Sequence, residues 1–127
     1  MVEINNPDVV AELTAEFEIY ERAVVSGDIA TIIGLFWDSP HTLRYGTTVR
    51  ERHYTSAEIA QFRIERGPIP LRRTLRNTRI TTYGRDFGTA NTEYVPEGSD
   101  KIGRQSQTWV RFPEGWKIVS AHVSFGI

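Results

Sequence analysis

The sequence predicts an α+β domain in which three helices pack on one face of a strongly curved antiparallel sheet. Three observations carry this. Val10, Leu13, Phe17, Tyr20 and Val24 recur at helical spacing near the start of the chain. Alternating side chains fill most of residues 71–125. The last two alternating runs flank Phe112-Pro113-Glu114-Gly115-Trp116, a hairpin turn signature. The 127 residues suffice for one domain, 1–127, and not for two.

The first helix starts at Asn6-Pro7-Asp8, with Asn as N-cap, Pro in the first helical position and an acid in the first turn. Gly27 ends it. Asp28 caps a second, short helix whose Ile29, Ile32, Ile33 and Phe36 face inward. Trp37-Asp38-Ser39-Pro40 breaks the pattern, and short strands follow over Thr42–Gly46 and Val49–Tyr54. Thr55-Ser56-Ala57-Glu58 is a capping box for a third helix, which Gly67-Pro68 stops. Long strands are expected over Leu71–Tyr83, Phe87–Val95 and the final hairpin, with turns at Gly84-Arg85-Asp86 and Pro96–Asp100.

The hairpin fixes the expected pocket. Pro113 suits the second position of a type I turn, and Gly115 suits the left-handed residue that closes a three-residue loop. Phe112 then pairs with Trp116, and Ser106 lies opposite His122. One face carries Phe112, Val110, Thr108, Ser106 and Arg104 with Trp116, Ile118, Ser120, His122 and Ser124. It changes from apolar near the turn to polar farther along, as a pocket wall would. A two-residue Glu114-Gly115 turn would shift the register by one and exchange Ser106 for Gln107. The other face, with Trp109, Val119, Ala121, Val123 and Phe125, is also apolar. Two apolar faces require two covers, the chain's own helices and a second subunit, so a homodimer through the outer sheet face is expected.

With no cysteine, disulfides and thiolate metal sites are excluded. His41, His53 and His122 show no metal-ligand spacing, so no metal is expected. No glycine-rich phosphate loop is present. The arginines of residues 72–85 alternate with Thr and Leu along a strand rather than interleaving with aromatics, which argues against nucleic acid. No apolar run approaches a membrane span and the start lacks a signal-peptide pattern, so a cytoplasmic protein is expected. Charge is uneven: eight acids and one base in residues 1–40, seven arginines in residues 63–85. Most of these arginines are expected to pair with acidic helices. Arginine is also the side chain best suited to bidentate recognition of carboxylates.

Two candidates stand out for chemistry. If Tyr45 points outward from its strand, Arg44 points inward, where a guanidinium needs either a structural carboxylate such as Glu16 or a ligand's. Tyr20 lies in the inward stripe, so its hydroxyl either bonds a backbone carbonyl or serves as a proton donor. Arg63 shares a helix side with Ile59 and Phe62 and is a candidate for a second carboxylate, or else is solvated. His122 and Ser106 are candidate substrate contacts on the polar half of the hairpin, and an ordinary satisfied histidine is the alternative.

Several stretches resemble the AtzH-like family, within the cone-shaped nuclear transport factor 2-like superfamily. They are Leu35-Phe36-Trp37-Asp38-Ser39-Pro40, Leu43-Arg44-Tyr45-Gly46, Ala60-Gln61-Phe62-Arg63, residues 80–90, Gly103-Arg104-Gln105-Ser106-Gln107-Thr108-Trp109 and residues 115–124. The likeness spans nearly the whole chain. It departs at Thr47–Tyr54, which is richer in arginine than usual and bears on the substrate more than the fold. The resemblance implies a small bacterial protein of nitrogen-compound catabolism, associated with an amidase. It implies loss of carboxylate from 1,3-dicarboxyurea to give allophanate, in cyanuric acid breakdown, without a cofactor. It also implies that Tyr20 and Arg44 are catalytic. A non-catalytic accessory of an amidase, or a small-anion-binding protein, is the alternative.

Overall fold

The computed structural model describes residues 1–46 and 53–126. The chain order is α1 (Pro7–Ser26), α2 (Ile29–Leu35), β1 (Leu43–Tyr45), β2 (His53–Thr55), α3 (Ser56–Arg66), β3 (Arg73–Tyr83), β4 (Phe87–Pro96), β5 (Gly103–Phe112) and β6 (Gly115–Phe125). The strands form one sheet in the order β2-β1-β6-β5-β4-β3. All neighbours are antiparallel except β1 and β6, so the sheet is mixed rather than purely antiparallel. The part of the second expected strand at residues 49–52 lies outside the described residues. Among the described residues no helix is long and apolar enough to cross a membrane.

The helix signals act as the sequence chemistry requires. The Asn6 side chain accepts from the backbone N–H groups of Asp8 and Val9, satisfying donors the first turn leaves unpaired. Gly27 closes α1 in the left-handed region at φ 77°. Both halves of the Thr55–Glu58 capping box are present on α3, and Gly67 is its C-cap. The buried stripe of α1 is Val9, Leu13, Phe17, Tyr20, Ala23 and Val24, so Val9 takes the place expected for Val10. Each large member contributes roughly 1.5–3 kcal/mol by leaving water.

The sheet's inner face differs from the expected one. Phe112 pairs with Gly115 and Arg111 with Trp116, so the turn has two residues, Pro113 and Glu114. A bulge between Thr108 and Trp109 then restores the farther register, and Ser106 does face His122. An extra residue on one strand reverses which side chains point inward. The inner face of β6 is therefore Trp116 and Ile118 near the turn, then Ala121 and Val123 beyond the bulge, opposite Trp109, Gln107 and Gln105 of β5. Ser106 and His122 are exposed on the outer face, where the His122 ring lies 5.5 Å from that of Tyr45. This corrects their expected place in the pocket. The residues expected to make the outer face apolar, Trp109, Ala121 and Val123, lie under the helices instead, and the outer face carries exposed Arg104, Ser106, Asn91 and His122 together with Tyr45, Tyr83 and Phe87. The hairpin is tied to α1 by Trp116 Nε1, which donates to Glu12 Oε1 at 3.2 Å.

A candidate active site between the helices and the sheet

A cavity of about 680 Å³ opens between α1, α3 and the inner face of the sheet. Tyr20 of α1, Arg63 and Arg66 of α3, Arg44 of β1, Tyr94 of β4 and Gln105 of β5 all line it. Tyr20 and Arg44, nominated from opposite ends of the first half of the chain, thus share one cavity. Arg63 joins them, whereas Ser106 and His122 do not.

Each side chain is aimed by its element. Arg44 pairs in register with Ala121, which points inward, while Tyr45 beside it is exposed on the other side. Only 9% of Arg44 is accessible. A Cβ at position 46 would run into the Arg44 guanidinium, so Gly46 is the residue that lets Arg44 fold back over its own strand. Tyr20 is held edge-on to Phe36, with ring centroids 6.3 Å apart. Among the described residues no group hydrogen-bonds its hydroxyl. Arg63 is 6% exposed, and its guanidinium lies 5.7 Å from the Phe62 ring centroid. No described carboxylate pairs with it. Arg66, one turn on, has its pKa lowered first by burial and then by Arg63.

The far side of the cavity is built from residues that sequence reasoning missed. Arg73 donates to both carboxylate oxygens of Glu21, at 3.0 and 2.7 Å, and to Gln105 Oε1 at 3.0 Å. Burial pulls the Arg73 pKa down, but Glu21 outweighs it and the net shift is upward. Its guanidinium stacks 4.7 Å over the Tyr94 ring. The Tyr94 hydroxyl donates to Ser124 O at 3.3 Å, and burial raises its pKa despite the opposing pull of Arg73 and Arg44. The Tyr94 ring occupies the space a Cβ at position 103 would need, so only glycine fits there. One signal for Gln105 was available: Gln105 and Gln107 share strand parity with Trp109, and amides on a face that buries a tryptophan call for partners. Gln107 finds one, since Trp109 Nε1 donates to its Oε1 at 3.1 Å. Nothing local in the sequence linked Glu21, Arg73 and Tyr94.

The Glu21–Arg73 pair carries a stability prediction. Its side chains are only 15% and 9% exposed. Glu21→Gln leaves a buried guanidinium without its counter-charge, and a loss of about 3 kcal/mol is expected in urea unfolding. A loss below 0.5 kcal/mol, in the range of exposed pairs, would contradict the pair's structural role.

Among the described residues no group of three or more His, Asp or Glu side chains could hold a metal ion. The cavity can do something simpler: clamp a small anion with guanidiniums and offer it phenol protons.

Comparison with known proteins agrees with the architecture. The sequence model of the AtzH-like family matches residues 2–126. A protein of unknown function from Pectobacterium atrosepticum is 49% identical over 98% of this chain and 95% of its own, with a TM-score of 0.90. A cystatin-like fold protein from Burkholderia xenovorans is 43% identical over 98% and 97%, with a TM-score of 0.89. An NTF2-like protein of unknown function from Pseudomonas putida reaches 0.77 at 16% identity over 92% and 86%, which shows the fold alone. No curated protein matches the chain.

Proposed function

The chain belongs to the AtzH-like family, and we propose that it is a cofactor-free enzyme that removes carbon dioxide from an N-carboxylated urea such as 1,3-dicarboxyurea, giving allophanate. The observation that carries the reading is the meeting of Arg44, Arg63 and the Tyr20 phenol in one cavity. Buried guanidiniums of this kind suit a doubly carboxylated substrate, because each gains most from a carboxylate that cannot reach bulk water.

The chemistry assigns the carboxylates to different surroundings. The N–C bond to the departing carboxylate breaks, and its electron pair stays on the urea nitrogen and spreads into the adjacent carbonyl. A cation on the departing carboxylate holds charge that the transition state is losing, so Arg63 contributes affinity on that side and nothing to the step itself. Arg44 therefore clamps the carboxylate that is kept. Tyr20 gives its hydroxyl proton to the nitrogen as carbon dioxide leaves, and solvent returns a proton to the phenolate. One dianion and one proton become one allophanate and one carbon dioxide. Positioning and a single general acid are enough, since decarboxylation needs no oxidant and no nucleophile.

The test uses the purified protein alone with freshly generated 1,3-dicarboxyurea, following carbon dioxide and allophanate together. Equimolar release above the spontaneous rate is expected. A second reading, an anion-binding protein without chemistry, is favoured by the Arg63–Arg66 pair, which asks only for negative charge. Thermal stabilisation by small dicarboxylates with no release above background would select it over the enzyme.

A further inference from the structure

Gln105 is 2% exposed, and its Nε2 has neither a protein acceptor nor contact with solvent. The orientation of the amide is settled by chemistry: a guanidinium only donates, so the atom facing Arg73 Nη2 must be Oε1. Arg73 is in turn held bidentately by Glu21. The chain Glu21–Arg73–Gln105 thus fixes one half of the amide and leaves the donating half without a partner in the wall of the cavity. An orphaned buried donor costs roughly 1–3 kcal/mol, which a fold gives up only where something else returns it.

The sheet order places Gln105 centrally. The strands of Arg44 (β1) and Arg73 (β3) each lie two strands from β5, on opposite sides, and the Arg73 side chain reaches across to Gln105. Opposite the sheet stand Tyr20 and Arg63. Gln105 is therefore a neutral donor set among the guanidiniums that line the cavity. We propose that Gln105 Nε2 binds the neutral carbonyl oxygen between the two carboxylates of the substrate, and so selects acylurea-like dicarboxylates over plain ones. This rests on the dicarboxylate reading of the cavity. A small turn of the amide, with Oε1 kept on Arg73, meets a ligand seated against it. The same bond strengthens as negative charge spreads into that carbonyl, so Gln105 favours the decarboxylating state over the bound one.

The experiment compares two probes by calorimetry, in fresh solution and over times short against the spontaneous decarboxylation of 3-oxoglutarate: 3-oxoglutarate, with a central carbonyl between two carboxylates, and glutarate, which has the same charge and chain length and no carbonyl. The wild-type protein is expected to prefer 3-oxoglutarate about ten-fold. Gln105→Met is expected to bring that preference below about two-fold while glutarate affinity stays within about two-fold of wild type. Should that variant fail to fold, Gln105→Glu keeps the size and the Arg73 contact and loses the donor; its added charge weakens both probes, so there the ratio of the two affinities alone is read and is expected below about two-fold. Binding of both probes with no wild-type preference, or a preference that survives the substitutions, overturns the role of Gln105 and leaves the dicarboxylate cavity standing. Binding of neither probe overturns both.

Discussion

Tyr20→Phe is expected to lower carbon dioxide release from 1,3-dicarboxyurea roughly 100-fold or more, the usual worth of a positioned general acid. The protein should otherwise be undisturbed. The ring is what packs in α1's buried stripe and against Phe36, and phenylalanine keeps it. No described group hydrogen-bonds the hydroxyl, so its removal leaves no protein partner stranded. Melting temperature and affinity for 3-oxoglutarate should therefore change little while kcat falls. Undiminished turnover would remove Tyr20 from the chemistry, and Tyr94, the second phenol of the cavity, would become the group to test. A parallel loss of stability and turnover would make Tyr20 a packing residue.

The second large effect has opposite signs in two measurements. Arg63→Met is expected to stabilise the free protein by about 1 kcal/mol and to weaken dicarboxylate binding roughly 100-fold. Arg63 is buried with no described carboxylate beside it and with the like charge of Arg66 one turn away. Replacing such a cation with an apolar side chain of similar length often stabilises a fold. The gain is kept small by the loss of the contact over Phe62, worth about 0.5–1 kcal/mol. Binding moves the other way because a bidentate guanidinium–carboxylate contact is lost in a shielded site. Urea unfolding and calorimetry on the same preparation measure both. A variant that is less stable yet binds as well as wild type would show Arg63 to be structural.

The helices and both their caps were legible because the information is local. Asn6, Gly27, Thr55 and Glu58 act within four residues of their own positions. Arg44 was legible for a similar reason, since its inward direction follows from the alternation of one three-residue strand. The final hairpin was legible only in part. Both turn lengths fit Phe-Pro-Glu-Gly-Trp, and the choice between them, together with the compensating bulge near Trp109, depends on how the strands pack around Trp109 and Ile118. The two-residue turn brought Gln105 in and put Ser106 outside, and the extra β6 residue at the bulge put His122 outside with it. On β5 the wall does change from Trp109 near the turn to Gln107 and Gln105, whereas β6 stays apolar through Ala121 and Val123. Glu21, Arg73 and Gln105 were illegible as a unit: they are separated by 52 and 32 residues. Their meeting is a property of the sheet order.

The most direct measurement is a crystal structure of the protein with 3-oxoglutarate bound. One carboxylate is predicted against the Arg44 guanidinium and the other on the Arg63 side, with the Tyr20 hydroxyl within hydrogen-bond reach of the bond that would break. A ligand seated outside the cavity, or inside it with neither Arg44 nor Tyr20 in contact, would contradict the proposed chemistry.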